Sequence, residues 1–173
     1  MTRLFVGLEV PCTLRAELTR LQQTVPPGCR LSLPANWHLT LAFIGEADLA
    51  LVQGVLAAGI YKVPQVVLTE PGWFGSGERR TYWVGAKRTP SLCALHEAVQ
   101  ADLHAAGFEP DDKPFVPHIT LARGGGTQAE EEYFHRQPVI RGLEFHSREL
   151  CLYSSSPLPH GSVYRVEARY RLD

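Results

Sequence analysis

The sequence predicts an α+β fold with antiparallel sheets. Two observations carry this: strand-like stretches are repeatedly followed by segments with helical apolar spacing, and one six-residue strand pattern occurs twice. The 173 residues are 45% hydrophobic and 20% charged, which is ordinary globular usage rather than the composition of a disordered chain. A single domain spanning residues 1–173 is therefore expected. The 13 prolines fall mainly where elements end and form no linker, so no cut between domains is indicated.

The elements follow in order. Leu4 to Val10 reads as a buried strand, and Thr13 to Gln23 places Leu14, Leu18 and Leu21 at helical spacing. Asn36 to Gly45 alternates as a strand, after which Ala47 to Ile60 repeats apolar residues as a helix does. Pro64 to Trp73 and Thr81 to Ala86 read as strands around a turn-rich segment containing Arg79 and Arg80, which are expected to be solvated. Ser91 is a candidate cap for a helix running to about Ala106 and stopped by Gly107. Pro117 to Arg123 is another strand, and Gly124 to Gln137 suggests a mobile loop leading into a short helix or turn. Leu143 to Tyr153 and Ser162 to Leu172 close the chain as two strands.

Composition excludes several function classes. A net charge of -1 rules out a nonspecific polycation, so any phosphate recognition must be local. No apolar run approaches the roughly 18 to 20 residues that span a bilayer, and the N-terminal stretch turns polar too early for a signal peptide. A cytoplasmic protein without membrane contact is expected. Cys12, Cys29, Cys93 and Cys151 form no C-x-x-C pair, which leaves reduced and mostly buried thiols as the expectation.

The repeated pattern carries the chemistry. His38-Leu39-Thr40-Leu41-Ala42-Phe43 and His118-Ile119-Thr120-Leu121-Ala122-Arg123 both read His-apolar-Thr-Leu-Ala-x. Random placement of seven His among these residues gives only about 0.4 bare His-x-Thr matches, and far fewer with the apolar and Leu positions added. On a strand, each His shares a face with its Thr while the intervening residues enter the core. Bringing the two strands together surrounds one groove with two imidazoles and two hydroxyls. Such a set suits phosphate transfer: one neutral imidazole takes a proton, one protonated imidazole gives a proton, and the hydroxyls bond phosphate oxygens. A lone strand His is more often a surface or satisfied core residue, but the repetition weighs against that reading. A zinc site would need three or four clustered ligands, and neither H-E-x-x-H nor Cys/His clustering is present. No metal or other cofactor is expected.

With these motifs in place, the sequence resembles the two-histidine phosphoesterase superfamily, and within it the RNA 2',3'-cyclic phosphodiesterases once named 2'-5' RNA ligases. The likeness extends from Arg3-Leu4-Phe5-Val6-Gly7-Leu8 through both motifs, Tyr82-Trp83-Val84-Gly85, Gly107-Phe108-Glu109-Pro110 and Leu152-Tyr153-Ser154-Ser155. It implies two pseudo-symmetric lobes with two antiparallel sheets lining a central groove and helices outside. It further implies metal-independent opening of an RNA 2',3'-cyclic phosphate to a 2'-phosphomonoester by hydrolysis. By the same resemblance His38 is the acid toward the 3'-oxygen, His118 the base, and Thr40, Thr120 and Arg123 hold phosphate oxygens.

Phe43 is implied to contact the base, although strict alternation puts Phe43 and Arg123 opposite their histidines unless each strand ends, twists or bulges. An ordinary core position for Phe43 stays open. The substrate is an RNA end or a small cyclic nucleotide, and the chain is expected to act as a monomer. The 2'-5' ligation that reverses the same reaction, and noncatalytic binding of RNA ends, are the alternatives.

Overall fold

Alternation and capping translate directly into the elements of the computed structural model, which describes residues 1–173. They are β1 (Thr2–Glu9), α1 (Arg15–Gln22), β2 (Arg30–Leu31), β3 (His38–Ala47), α2 (Leu49–Ala58), β4 (Gln65–Phe74) and β5 (Arg80–Ala86). After these come α3 (Pro90–Ala105), β6 (His118–Gly124), α4 (Gln128–His135), β7 (Glu144–His146), β8 (Glu149–Leu158) and β9 (Gly161–Arg171). Asp48 caps α2 by accepting from Leu51 N–H at 3.0 Å, satisfying one of the free donors at a helix start.

Several details differ from expectation. Thr89, not Ser91, caps α3, because Pro90 occupies the first helical position and fixes the start there. Ser91 Oγ instead accepts from Gln65 N–H at 2.9 Å and ties the helix to β4. Of the short helix or turn left open for Gly124 to Gln137, the structure has the helix: α4, opened by a reciprocal capping box between Thr127 and Glu130. The strand expected over Leu143 to Tyr153 is broken at Ser147–Arg148: β7 pairs with β4, whereas β8 pairs with β1 and β9. Only Cys151 among the four free cysteines is buried, and Cys12 is exposed.

All strand pairings are antiparallel, in the order β7-β4-β5-β6-β3-β1-β8-β9, with β2 added beside β6. The two motif strands are neighbours. One register pair, Leu39 opposite Ile119, joins β3 to β6, so two extensive antiparallel halves meet at a narrow seam. Both residues of that pair are fully buried. The helices pack on the side that receives Leu39, Leu41, Ile119 and Leu121, and the core continues from β1 through α3 without a break. No helix is long and apolar enough to cross a membrane.

Each motif strand carries a β-bulge at its Leu. The pairing runs Gly7 with Thr40, then Val6 with Ala42, leaving Leu41 extra. Likewise Trp83 pairs with Thr120 and Tyr82 with Ala122, leaving Leu121 extra. A bulge leaves its backbone partly unpaired, and here a helix side chain takes up each carbonyl. His96 of α3 donates Nδ1–H to the Leu41 carbonyl at 2.7 Å, its ring stacked on Phe115 at 4.0 Å. Gln22 of α1 donates from Nε2 to the Leu121 carbonyl at 2.8 Å and to the Ser32 carbonyl at 2.7 Å. A Gln22→Leu variant removes both bonds at similar volume; the Leu121 carbonyl keeps the Ser32 N–H at 2.9 Å, so the cost is that of two lost hydrogen bonds, about 1 to 3 kcal/mol. Urea unfolding is expected to register that loss, and an unchanged midpoint would show that Gln22 does not hold the bulge.

Candidate active site

The bulges decide which side chains reach the groove. Along each motif His and Thr share a face, the extra Leu shifts the alternation by one, and the last residue returns to the face of the His. Phe43 and Arg123 therefore join their histidines although the spacing is five. β3 does not end at this point but continues to Ala47, whereas β6 ends at Gly124, one residue after Arg123. A groove of about 780 Å³ is lined by all six candidate residues: His38, Thr40, Phe43, His118, Thr120 and Arg123. Phe43 is thus not a closed core residue. Because Leu39 lies opposite Ile119, the antiparallel direction of the two strands turns His38 toward the Thr120 end of β6 and Thr40 toward the His118 end.

The two imidazoles are held alike. His38 Nδ1 lies 2.7 Å from the Asn36 carbonyl, and His118 Nδ1 lies 2.7 Å from the Val116 carbonyl. A carbonyl only accepts, so Nδ1 carries the proton in both rings and Nε2 is left free as acceptor or donor. Aromatic side chains fix the ring planes. Phe5, Tyr153 and Tyr164 surround His38 at centroid distances of 4.8, 5.5 and 5.3 Å. Phe74 stands edge-on to His118 at 5.0 Å, with Trp83 at 6.0 Å.

This packing governs the proton affinity. Burial pushes His38 down to about 4, opposed by the Asn36 carbonyl and reinforced by the charges of His118 and Arg123. His118 is also lowered, first by burial and then by Arg123, against the pull of the Val116 carbonyl. No carboxylate lines the groove to offset these effects, whereas Arg3, Arg30 and Arg123 do line it. The site is therefore locally cationic in a chain of net charge -1. Neither histidine belongs to a group of three His, Cys, Asp or Glu side chains able to hold a metal ion.

Arg123 Nη1 donates to Thr81 Oγ1 at 3.0 Å, which aims the guanidinium from the β5 side. Arg3 lies over the Phe43 ring at 5.0 Å, a cation–π arrangement. Arg80 departs from its expected solvation: its Nη1 pairs at 2.6 Å with buried Glu131, which also accepts from Tyr82 at 3.2 Å and so anchors α4 on β5. Sequence reasoning did not single out Arg3, Arg30, Gln22 or the ring cage as parts of the site. Arg30 lies on a two-residue strand too short for periodicity to register, and cage residues come from strands distant in sequence.

The curated RNA 2',3'-cyclic phosphodiesterase of Escherichia coli is 33% identical over 128 residues, covering 70% of this chain and 71% of that protein. The protein of the same name from Methanocaldococcus jannaschii is 26% identical over 170 residues, covering 95% and 97%. A crystal structure from Thermus thermophilus superposes with a TM-score of 0.77 at 28% identity, covering 98% of this chain and 97% of the other. The family model described as the 2'-5' RNA ligase superfamily matches residues 10–156. A pair of His-x-Thr strands joined at one seam, within a chain matched over most of its length, makes this protein a member of the 2'-5' RNA ligase superfamily.

Proposed function

We propose that this chain hydrolyses the 2',3'-cyclic phosphate at an RNA end to a 2'-phosphomonoester, using its two histidines as acid and base without a metal ion. One observation carries the reading: two imidazoles, each fixed through Nδ1 to the carbonyl two residues back, share a cationic groove that has no carboxylate. The relatives' common name supports the same activity. The two halves of the sheet then serve as pseudo-symmetric lobes of one domain, each contributing one His-x-Thr.

The steps follow from the positions. Nε2 of His118 takes a proton from water as the water oxygen bonds to phosphorus. The bond from phosphorus to the 3'-oxygen breaks, and Nε2 of His38 gives that oxygen its proton, leaving the phosphate on the 2'-oxygen. Thr40, Thr120 and Arg123 bond the nonbridging oxygens, where negative charge develops. Phe43 offers a face for the terminal base. In the empty groove His38 is neutral near pH 7, because its proton affinity is pushed down to about 4. A bound phosphate anion supplies the missing counter-charge and raises it, so His38 becomes a competent acid when substrate is present.

Each of His38→Ala and His118→Ala is expected to lose at least about 10²-fold in kcat on an oligonucleotide 2',3'-cyclic phosphate while keeping its circular dichroism spectrum. The wild-type product is expected to be the 2'-phosphate alone; a folded variant with near-normal turnover, or a 3'-phosphate product, would overturn the mechanism. Burial of His38 also has a thermodynamic consequence. Below the ordinary imidazole value near 6.5, the unfolded chain binds a proton that folded His38 refuses until about pH 4. Stability from this ring is complete above pH 6.5 and declines as pH falls through that window. The component amounts to at most about 3 kcal/mol and should be missing in His38→Gln, as read by urea unfolding at several pH values. Parallel pH dependence in the two proteins would contradict it.

A further inference from the structure

Arg30 has no part in the chemistry above, yet its position is a costly one. It lies on β2 directly opposite Arg123 of β6, and like charges in register across a ladder repel. Neither guanidinium belongs to any ion pair of the chain, and both line the groove without a carboxylate. The repulsion is left for an anionic ligand to offset.

The two cations diverge. β5 and β2 pair with opposite edges of β6, and Arg123 is drawn toward β5 by its bond to Thr81. Arg30 lies against the turn between β8 and β9: a Cβ added to Gly161 would stand 3.3 Å from Arg30 Nε and 3.4 Å from its Cζ. Gly161 has φ 132°, a conformation that favours glycine, so the turn leaves the guanidinium its room. The charge of Arg123 lowers the proton affinity of both imidazoles. The groove therefore holds a cation beside the histidine pair and a second one displaced along its wall.

Resting on the reading of the groove as a site for an RNA end, we propose that Arg30 and the β8–β9 turn form a second anion subsite. It holds the phosphodiester adjacent to the cyclic phosphate, so the chain prefers an oligonucleotide end over a cyclic mononucleotide. A hydrogen-bonded charge pair of this kind is worth at least about tenfold in affinity.

The test compares kcat/KM for a nucleoside 2',3'-cyclic phosphate, a dinucleotide with the same end, and that dinucleotide with a neutral methylphosphonate linkage. For the wild type, the charged dinucleotide is expected to exceed the other two by at least about tenfold. In Arg30→Gln that ratio is expected to collapse toward one. A ratio unchanged by Arg30→Gln, or a wild type indifferent to the linkage charge, would overturn the subsite. If no substrate is turned over, the hydrolytic reading fails and binding of a dinucleotide 2'-phosphate decides the subsite separately. Arg30→Gln should then lower the slope of log affinity against log salt by about 0.7, and an unchanged slope would refute it.

Discussion

The groove depends on a backbone constraint: one extra residue in each of two adjacent strands. Without the bulges at Leu41 and Leu121, the pleat would send Phe43 and Arg123 into the core side of the sheet. With them, His, Thr and the terminal residue of each motif all face one cavity. A bulge exposes a carbonyl that would be expensive to leave unpaired in a core. His96 removes that expense at Leu41, and Gln22 shares it with the Ser32 N–H at Leu121, so the packing of α1 and α3 is coupled to the aim of the groove residues. The consecutive Leu and Ala of each motif are both buried, which is the residue-level trace of the same bulge.

Electrostatics then separates the groove from the rest of the surface. The chain is nearly neutral overall, but the groove collects three arginines, the histidine pair and His160 of the β8–β9 turn, and no carboxylate. Burial among Phe5, Tyr153 and Tyr164 disfavours the charged form of His38, and Arg123 adds to the effect. A site so arranged is strongly short of negative charge, and it resists carrying its own protons until an anion arrives. In the proposed mechanism, anion binding and proton loading are thereby linked in one step, which suits a phosphate ester as the ligand.

Much of this was legible in the sequence. Both motif strands, the helices α1 to α3 and the two His-Thr pairs follow from spacing, because alternation and helical period respond to burial of the same core. Phe43 and Arg123 rested on the family resemblance, since the bulges were legible only as a conflict between a spacing of five and a shared face. The sequence does not say how such a conflict is resolved. Arg30 escaped notice because a two-residue strand has no period. The break at Ser147–Arg148 was hidden for a related reason: Leu143 to Tyr153 is strand-like throughout, and only tertiary pairing divides it between β4 and β1. Arg80 was misjudged because its partner Glu131 lies on α4, 51 residues further on.

The most direct measurement is nitrogen-15 NMR of the imidazole rings of His38 and His118, followed through a pH titration with and without a bound nucleoside 2'-phosphate. Both rings should carry the proton on Nδ1 in the free protein and titrate below the ordinary value near 6.5. The nucleotide should raise the His38 titration by at least about one unit. A proton resting on Nε2 in the free protein, or a His38 titration indifferent to the phosphate, would contradict the proposed coupling of anion binding to acid catalysis.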